Sequence, residues 1–348
     1  MPYTTKQSLN AKKGEVRYRS ARVLQLLGET NSINNEPDVY EFRKLLKSKL
    51  KITENKFKRF QKKSIHLSPY LEIGSEHGLR AALLDDKFKA KGFAIDISLH
   101  SLAKASAFSK FYGYKKAPKT ICADAENLPF ASESFPFVFV YETLHHFPYL
   151  KSPLEEAYRV LSPGGVCFIG SDPVKQTFQF SLWYRPNKLR AWEKVLKALF
   201  ILPFISHIGK TEVEEGIIEG AFSLKEWEEA LSIFDKVEVT LKTFPLGPSQ
   251  TIIKNDHKKW LTPNLQTRLA LFLFGGGLEA ICFKKGDIKI TDTQINNYLI
   301  CPNCKHTRKI EIRITNYQCP KCRSTFSKKL GVPILIEKKL AEELFNIN

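Results

Sequence analysis

The stretch Ser68–Leu84, SPYLEIGSEHGLRAALL, decides how this chain is read. A short apolar run, YLEI, enters a glycine-bounded turn, GSEHG, and the turn opens into a helix-forming segment, GLRAALLDDKF. A strand, a tight turn and a helix in this order form the first unit of an open α/β sheet, which binds ligands beyond the carboxyl ends of its strands. Gly74 lets the backbone approach a ligand closely, and Gly78 lets the helix start tightly. Glu76 stands between them, where a glycine is expected, so the question is whether the loop still holds a cofactor.

Working outward from this turn, strands and helices alternate. GFAIDI (92–97) is a second strand, and Ser98 is a suitable N-cap for the helix SLHSLAKASAFSKFYG. APKTICADAENLPF holds a third strand, and FPFVFVYETLHHF holds a fourth. The helix SPLEEAYRVLSPGG follows, then a fifth strand, VCFIGSDPV. The repetition predicts a mostly parallel sheet with helices on both faces. Asp96 ends the second strand, roughly 20 residues beyond the turn, where an acid can accept hydrogen bonds from both hydroxyls of a ribose. The dinucleotide pattern G-x-G-x-x-G is absent, and no pyrophosphate cradle is evident.

The flanks differ from this core. Residues 1–67 read as a basic helical extension, with Val39, Phe42, Leu45, Leu46 and Leu50 at helical spacing. They carry 16 basic and 6 acidic side chains, residues 284–348 carry 13 and 6, and the middle carries 25 and 24. A nearly neutral core therefore lies between two basic ends. Such ends attract polyanions, RNA or an anionic membrane surface, or simply keep the chain soluble. No apolar stretch is long enough to cross a bilayer, and the first residues lack the apolar core of a signal peptide. A cytoplasmic, reducing location is expected, with cysteines as thiols or metal ligands.

Five segments, LEIGSEHG, AIDIS, CADAENLPFASESFPFVFV, LHHF and AYRVLSPGG, occur in the order typical of class I S-adenosylmethionine-dependent methyltransferases, which this chain resembles over about 68–175 and more weakly to 283. The resemblance implies a Rossmann-like sheet and S-adenosylmethionine as cofactor. It implies that Glu72, Gly74 and Gly78 shape the pocket for the methionine part and that Asp96 holds the ribose. Asp124 and Ala125 would border the adenine, and Tyr141 would lie near the sulfonium. The family usually has glycine at Glu76 and aspartate at Pro136.

Methyl transfer is a displacement at an already activated methyl, so alignment in a dry pocket matters most and a general base is optional. The candidates for that base are Glu142, His145 and His146, just past the fourth strand; the alternative is that LHHF packs the loop. The sequences N-P-P-Y and D-P-P-Y, and a proline–cysteine pair, are absent there. Exocyclic amines, glutamine amides and cytosine C5 therefore become poor acceptor candidates. An insertion at 176–222 is expected to be helical and to cover the pocket. Phe178, Phe180, Trp183, Tyr184 and Trp192 would line an apolar acceptor site or form ordinary core, and its run VLKALFILPFISHIG could lie against a membrane surface.

Beyond a domain at 68–290, residues 291–348 contain Cys301, Cys304, Cys319 and Cys322 as C-x2-C-x14-C-x2-C. Four thiolates in this spacing suit a structural zinc with no open coordination position. His306 is a spare ligand candidate and reads better as a surface residue. LICPNC, YQCPKC and GVPILI resemble the small zinc-ribbon protein that activates tRNA, rRNA and release-factor methyltransferases. That resemblance implies a ribbon fused to its catalytic partner, stabilising it and covering apolar surface. Three functional readings follow: a methyltransferase for a small-molecule or lipid-like acceptor, an RNA methyltransferase guided by its basic ends, and a non-catalytic module that senses S-adenosylmethionine.

Overall fold

A computed structural model of the chain describes residues 5–28, 39–180, 182–185, 189–208, 210–218, 220–243, 249–288, 295–306, 309–314 and 316–346. Two long helices come first, α1 (Thr5–Leu27) and α2 (Val39–Lys62). The alternating core follows as β1 (Tyr70–Ile73), α3 (Leu79–Lys87), β2 (Gly92–Asp96), α4 (Leu99–Ala103), α5 (Ala105–Phe111) and β3 (Lys119–Cys122). It continues through β4 (Phe135–Tyr141), α6 (Lys151–Val160) and β5 (Leu161–Val174). The insertion contributes β6 (Trp183–Arg185), α7 (Ala191–Ala198), α8 (Leu202–Ile205), β7 (Ser206–Ile208) and α9 (Lys210–Glu214). Then come α10 (Leu224–Leu231), β8 (Lys236–Thr243), β9 (Gln250–Ile253), α11 (Leu265–Phe274) and β10 (Gly276–Phe283). The cysteine unit supplies β11 (Glu311–Ile312), β12 (Asn316–Gln318), β13 (Thr325–Lys329), β14 (Val332–Pro333) and α12 (Lys338–Phe345).

The central sheet has eight strands in the order β3-β2-β1-β4-β5-β10-β8-β9. The first five are parallel, and β10 runs antiparallel to both β5 and β8. Strand β4 is buried along its whole length, as a parallel strand covered on both faces must be. The strand order reverses between β1 and β4, which opens a crevice at their carboxyl ends. Ser98 caps α4 as expected, its side chain accepting from the Ser101 amide.

Three features depart from the sequence reading. Helix α6 stops at Val160 and the strand takes over at Leu161, so the SPGG segment is extended rather than helical. The insertion holds a small parallel pair, β6 with β7, among its helices. The edge strand β9 and helix α11 appear in addition, and α11 carries little helical period because LQTRLALFLF is apolar throughout from Leu269 onward.

Helix α2 is a layer of this sheet. Its buried face is Leu50, Thr53, Phe57 and Phe60, a 3-4-3 spacing that continues past the positions read from the sequence. Leu45 is instead 52% exposed. Phe57 meets Phe137 and Phe139 edge-on, with ring centroids at 5.8 and 5.5 Å, and Phe60 meets Phe168 at 5.2 Å. Pro136 sits where the β4–β5 register shifts between Phe135 and Phe137, a place where a missing N–H costs little.

Truncating Phe57 leaves a large void among aromatic neighbours. Phe57→Ala is expected to lower the unfolding free energy by about 3–5 kcal/mol in urea denaturation, whereas Leu45→Ala should change it by less than about 0.5 kcal/mol.

Candidate active site

Two adjoining cavities lie at the carboxyl ends of β1, β2 and β4. The larger, of about 650 Å³, is lined by Gly74, Glu76, Arg80, Asp96 and the segment Tyr141–Thr143 with His145 and His146. The smaller, of about 80 Å³, is lined by Asp96, Ile97 and the segment Ala123–Glu126, and shares Gly74, Asp96, Thr143 and His146 with the first. Eight residues proposed from the sequence are thus brought together: Gly74, Asp96, Asp124, Ala125, Tyr141, Glu142, His145 and His146. Glu72 and Gly78 line neither cavity and support the loop from behind. The Glu72 carboxyl is buried and accepts from the Ala81 amide at 3.0 Å. Burial pushes its pKa up to about 8. Gly78 takes φ +67 as the N-cap of α3, where a β-carbon would meet Pro118.

Glu76 has φ +52, so it follows the left-handed path that a glycine would take. Its amide donates to Asp96 at 2.7 Å, and Ser98 donates to the other Asp96 oxygen at 2.8 Å. Burial nevertheless outweighs these amides and pushes the Asp96 pKa up to about 7. The Glu76 carboxylate points to Arg19 of α1, 3.3 Å away, and to His77 at 3.4 Å. Burial raises its pKa, but His77 and Arg19 more than offset that and hold it below the ordinary carboxylate range. The loop thus keeps its course and gains an ionic contact with the N-terminal helix.

Helix α1 roofs the smaller cavity through Ser8, Ala11, Lys12 and Glu15. Lys12 lies 2.5 Å from Asp124 and 2.8 Å from Glu126. Burial alone would lower its pKa; the two carboxylates hold it above the ordinary lysine value. Helix α2 adds Lys49, whose ammonium is 2.7 and 2.8 Å from the two oxygens of Glu142. The expected aromatic cover from the insertion does not form. Phe178, Phe180, Trp183, Tyr184 and Trp192 line neither cavity, and among the described residues the insertion contributes only Ile217 and Ile218.

The histidines are set differently. His145 Nδ1 is 2.9 Å from the fully buried Asp172, which also accepts the His145 amide at 3.1 Å. His146 Nδ1 is 3.1 Å from the Ile218 carbonyl, so it donates; its Nε2 then accepts from Arg19 at 3.2 Å. Burial and the neighbouring His145 push the His146 pKa down to about 3, and the ring is neutral. Arg80 lies 3.9 Å over the Tyr141 ring and 3.7 Å from Glu142. Sequence reasoning missed Lys12, Arg19, Lys49, Arg80 and Asp172. An acid at the carboxyl end of the fifth strand could have marked Asp172; the lysines and Arg19 carry no local signal.

The four cysteine sulfurs lie within 4.8 Å of one another, with Cys301–Cys322 and Cys304–Cys319 both at 3.6 Å. Tetrahedral thiolates at a Zn–S distance of about 2.3 Å are about 3.8 Å apart, so this donor set fits zinc. His306 lies outside the cluster. The unit closes the β3 edge of the sheet: Ile334 bridges Cys122 in parallel, and the Leu335 amide donates to the Cys122 carbonyl at 2.8 Å.

Comparison with known proteins bears on this arrangement. The methyltransferase-domain family matches residues 71–169, the segment that carries β1 through most of β5. Residues 71–169 thus resemble a methyltransferase domain. Around this matched segment, the chain is 29% identical over 147 residues to the biotin biosynthesis bifunctional protein BioHC of Cellvibrio japonicus, covering 42% of this chain and 26% of that protein. It is 28% identical over 170 residues to the uncharacterized protein MJ1123 of Methanocaldococcus jannaschii, covering 43% and 80%. It is 35% identical over 94 residues to the phthiotriol/phenolphthiotriol dimycocerosates methyltransferase of Mycobacterium tuberculosis, covering 27% and 31%. The chain thus spans under a third of the first and third of these relatives.

The ionic roof has a checkable consequence. Lys12→Ala combined with Arg19→Ala should raise the rate of protease cleavage within α1, while urea denaturation of the sheet shifts by no more than about 1 kcal/mol, because partly exposed ion pairs contribute little to global stability.

Proposed function

We propose that the chain is an S-adenosylmethionine-dependent methyltransferase acting on a small-molecule or lipid-like acceptor. The observation that carries this reading is the cavity of about 650 Å³ beneath α1 and α2, which joins Asp96 on one side to Glu142 and the His145–Asp172 pair on the other. Its volume lies within the range of about 300–1,000 Å³ usual for small-ligand sites. The curated relative that methylates phthiotriol and phenolphthiotriol dimycocerosates is in keeping with an acceptor of this kind.

S-adenosylmethionine would supply a methyl group on a sulfonium, ready for displacement. Asp96 would accept from its ribose hydroxyls, Gly74 would let the backbone approach it, and Asp124 would face the adenine amine once Lys12 withdraws. Tyr141 would lie beside the reacting centre. His145, oriented by Asp172, is suited to take a proton from the acceptor. Glu142 is a second polar group for it, in exchange for Lys49. His146, with both ring nitrogens committed, is better suited to positioning than to proton transfer. The four cysteines would hold a structural zinc, and their unit, similar to the activating zinc ribbon, would stabilise the methyltransferase domain in cis by covering its β3 edge.

The RNA reading loses support from the basic N-terminal end. Lys56 pairs with Glu279, Lys58 with Glu54 at 2.5 Å, and Lys12, Arg19 and Lys49 are engaged in the site. The features that favour the non-catalytic reading are Glu76 and Pro136, where the family usually has glycine and aspartate. Glu76 keeps the path of a glycine, and Pro136 lines neither cavity.

Asp96 sets a pH dependence. Below a pKa of about 7 it holds a proton and can accept from only part of the ribose edge. Cofactor affinity, followed by calorimetry, should therefore rise with pH up to about 7 and then level off, with Kd increasing about tenfold per unit below it. Asp96→Asn should bind more weakly and lose this dependence; a flat wild-type profile would remove Asp96 from the site.

Plasma emission spectrometry should find one zinc per chain. Cys301→Ser or Cys319→Ser should lower that content and destabilise the C-terminal unit, since metal binding there contributes folding free energy. A metal-free chain of undiminished stability would refute the zinc assignment.

A further inference from the structure

Two helices of the chain carry apolar stripes that face solvent. On α7 and its C-cap, Trp192, Val195 and Leu199 stand at i, i+3 and i+7, and are 46%, 59% and 61% exposed. On α11, Leu265, Leu269 and Phe272 stand at i, i+4 and i+7, and are 83%, 53% and 42% exposed. The two helices are joined through α8, which packs against both, and Phe178 contacts Phe204 of α8 and Phe272 of α11, at 5.8 and 5.9 Å. An amphipathic helix of a globular protein turns its apolar stripe inward. Here both stripes turn outward, and Phe200, 67% exposed, extends the first.

The charge around these stripes has one sign. Residues 176–208 contain five basic side chains and one acid, Glu193, which is buried and bonded to Arg190 and Trp183. Helix α11 adds Arg268 and no acid. Among the described residues Lys194, Lys197 and Arg268 form no ion pair, unlike the cations of α1 and α2 in the active site. A two-fold contact between copies would set this patch against itself, cation facing cation. Stacking on nucleic-acid bases would use aromatic faces, whereas most of these exposed side chains are aliphatic. A bilayer with anionic headgroups satisfies both features: apolar side chains enter the headgroup–acyl boundary, and lysines and arginines stay at the phosphates.

We propose that the face formed by α7, α8 and α11 docks on an anionic lipid bilayer surface. The contact is peripheral, since among the described residues no helix is long and apolar enough to cross a membrane. It lies near the active site along the chain. Asp172 is on β5, and Phe178 follows six residues later, a reach of at most about 22 Å. The docking is independent of methyl transfer and of the acceptor.

Co-sedimentation of the full chain with vesicles of phosphatidylcholine, with and without phosphatidylglycerol, tests it. Binding should be strong on the anionic vesicles, weaker on the neutral ones, and should fall as salt rises. Emission from Trp192, isolated by comparison with Trp192→Phe, should shift to the blue and be quenched by brominated acyl chains. Val195→Glu with Leu265→Glu should lower binding at least tenfold. Lys194→Gln with Lys197→Gln should lower it roughly fivefold per lysine. These side chains are exposed, so an unchanged thermal transition will verify that each variant folds. Absence of sedimentation with either vesicle overturns the proposal, as does binding unaffected by the glutamates. A dimer that the glutamates split, or RNA binding that they abolish, in the absence of vesicle binding, would assign the face to that other partner instead.

Discussion

Everything at the candidate site depends on how closely the ends of β1 and β4 approach. At Gly74 a β-carbon would lie 2.2 Å from the Thr143 methyl and 2.5 Å from its hydroxyl, so only glycine fits. The Thr143 hydroxyl in turn donates toward the Gly74 and Tyr141 carbonyls, at 3.2 and 3.0 Å, and fixes the gap. With this gap set, β2 places Asp96 on one side, and the segment after β4 places Glu142 and the histidines on the other. Glu142 itself takes a left-handed turn, φ +50, as the chain leaves the sheet. Such a conformation in a non-glycine residue is sustained by its surroundings, here by its amide donating to Gly170 at 2.8 Å and by Lys49 on its carboxylate.

The second organising feature is an exchange of charge between the N-terminal helices and the sheet. Acids gathered at the strand ends repel one another and pay for burial by raised pKa values, as Asp96 and Glu72 show. Cations from α1 and α2 offset part of this: Lys12 on Asp124 and Glu126, Arg19 on Glu76 and Glu15, Lys49 on Glu142. Each pair is modest, so the roof they form is held over the site mainly by the apolar contacts of Val23, Leu26 and Leu50. That division leaves α1 able to open where its contacts are ionic and anchored where they are apolar.

The outer surfaces of the sheet are treated unequally. On the β3 side the edge is covered by the cysteine unit, and Leu99, Leu102, Val332 and Ile334 share one buried cluster. An edge strand with open hydrogen-bonding groups is thereby removed from solvent. Beyond β5, by contrast, α7 and α11 leave apolar stripes uncovered. The same chain thus seals one flank with its own C-terminal unit and presents the other outward.

The sequence by itself determined the alternation of strands and helices, the glycine turn, the acids at the strand ends and the cysteine spacing, because each is written in short-range patterns. A period of two or of 3.6 residues, or a fixed C-x2-C step, reflects neighbours within a turn or two of chain. Eight of the ten non-metal residues proposed from such patterns line the two cavities. The tertiary structure alone decided what roofs the site. Lys12 and Asp124 are 112 residues apart and Lys49 and Glu142 are 93 apart, and an ion pair across such a distance leaves no periodicity to read. For the same reason the aromatic insertion looked like a lid in sequence, whereas packing against α11 carried it away from the pocket, because composition states that a surface is apolar but only the fold decides which way it faces.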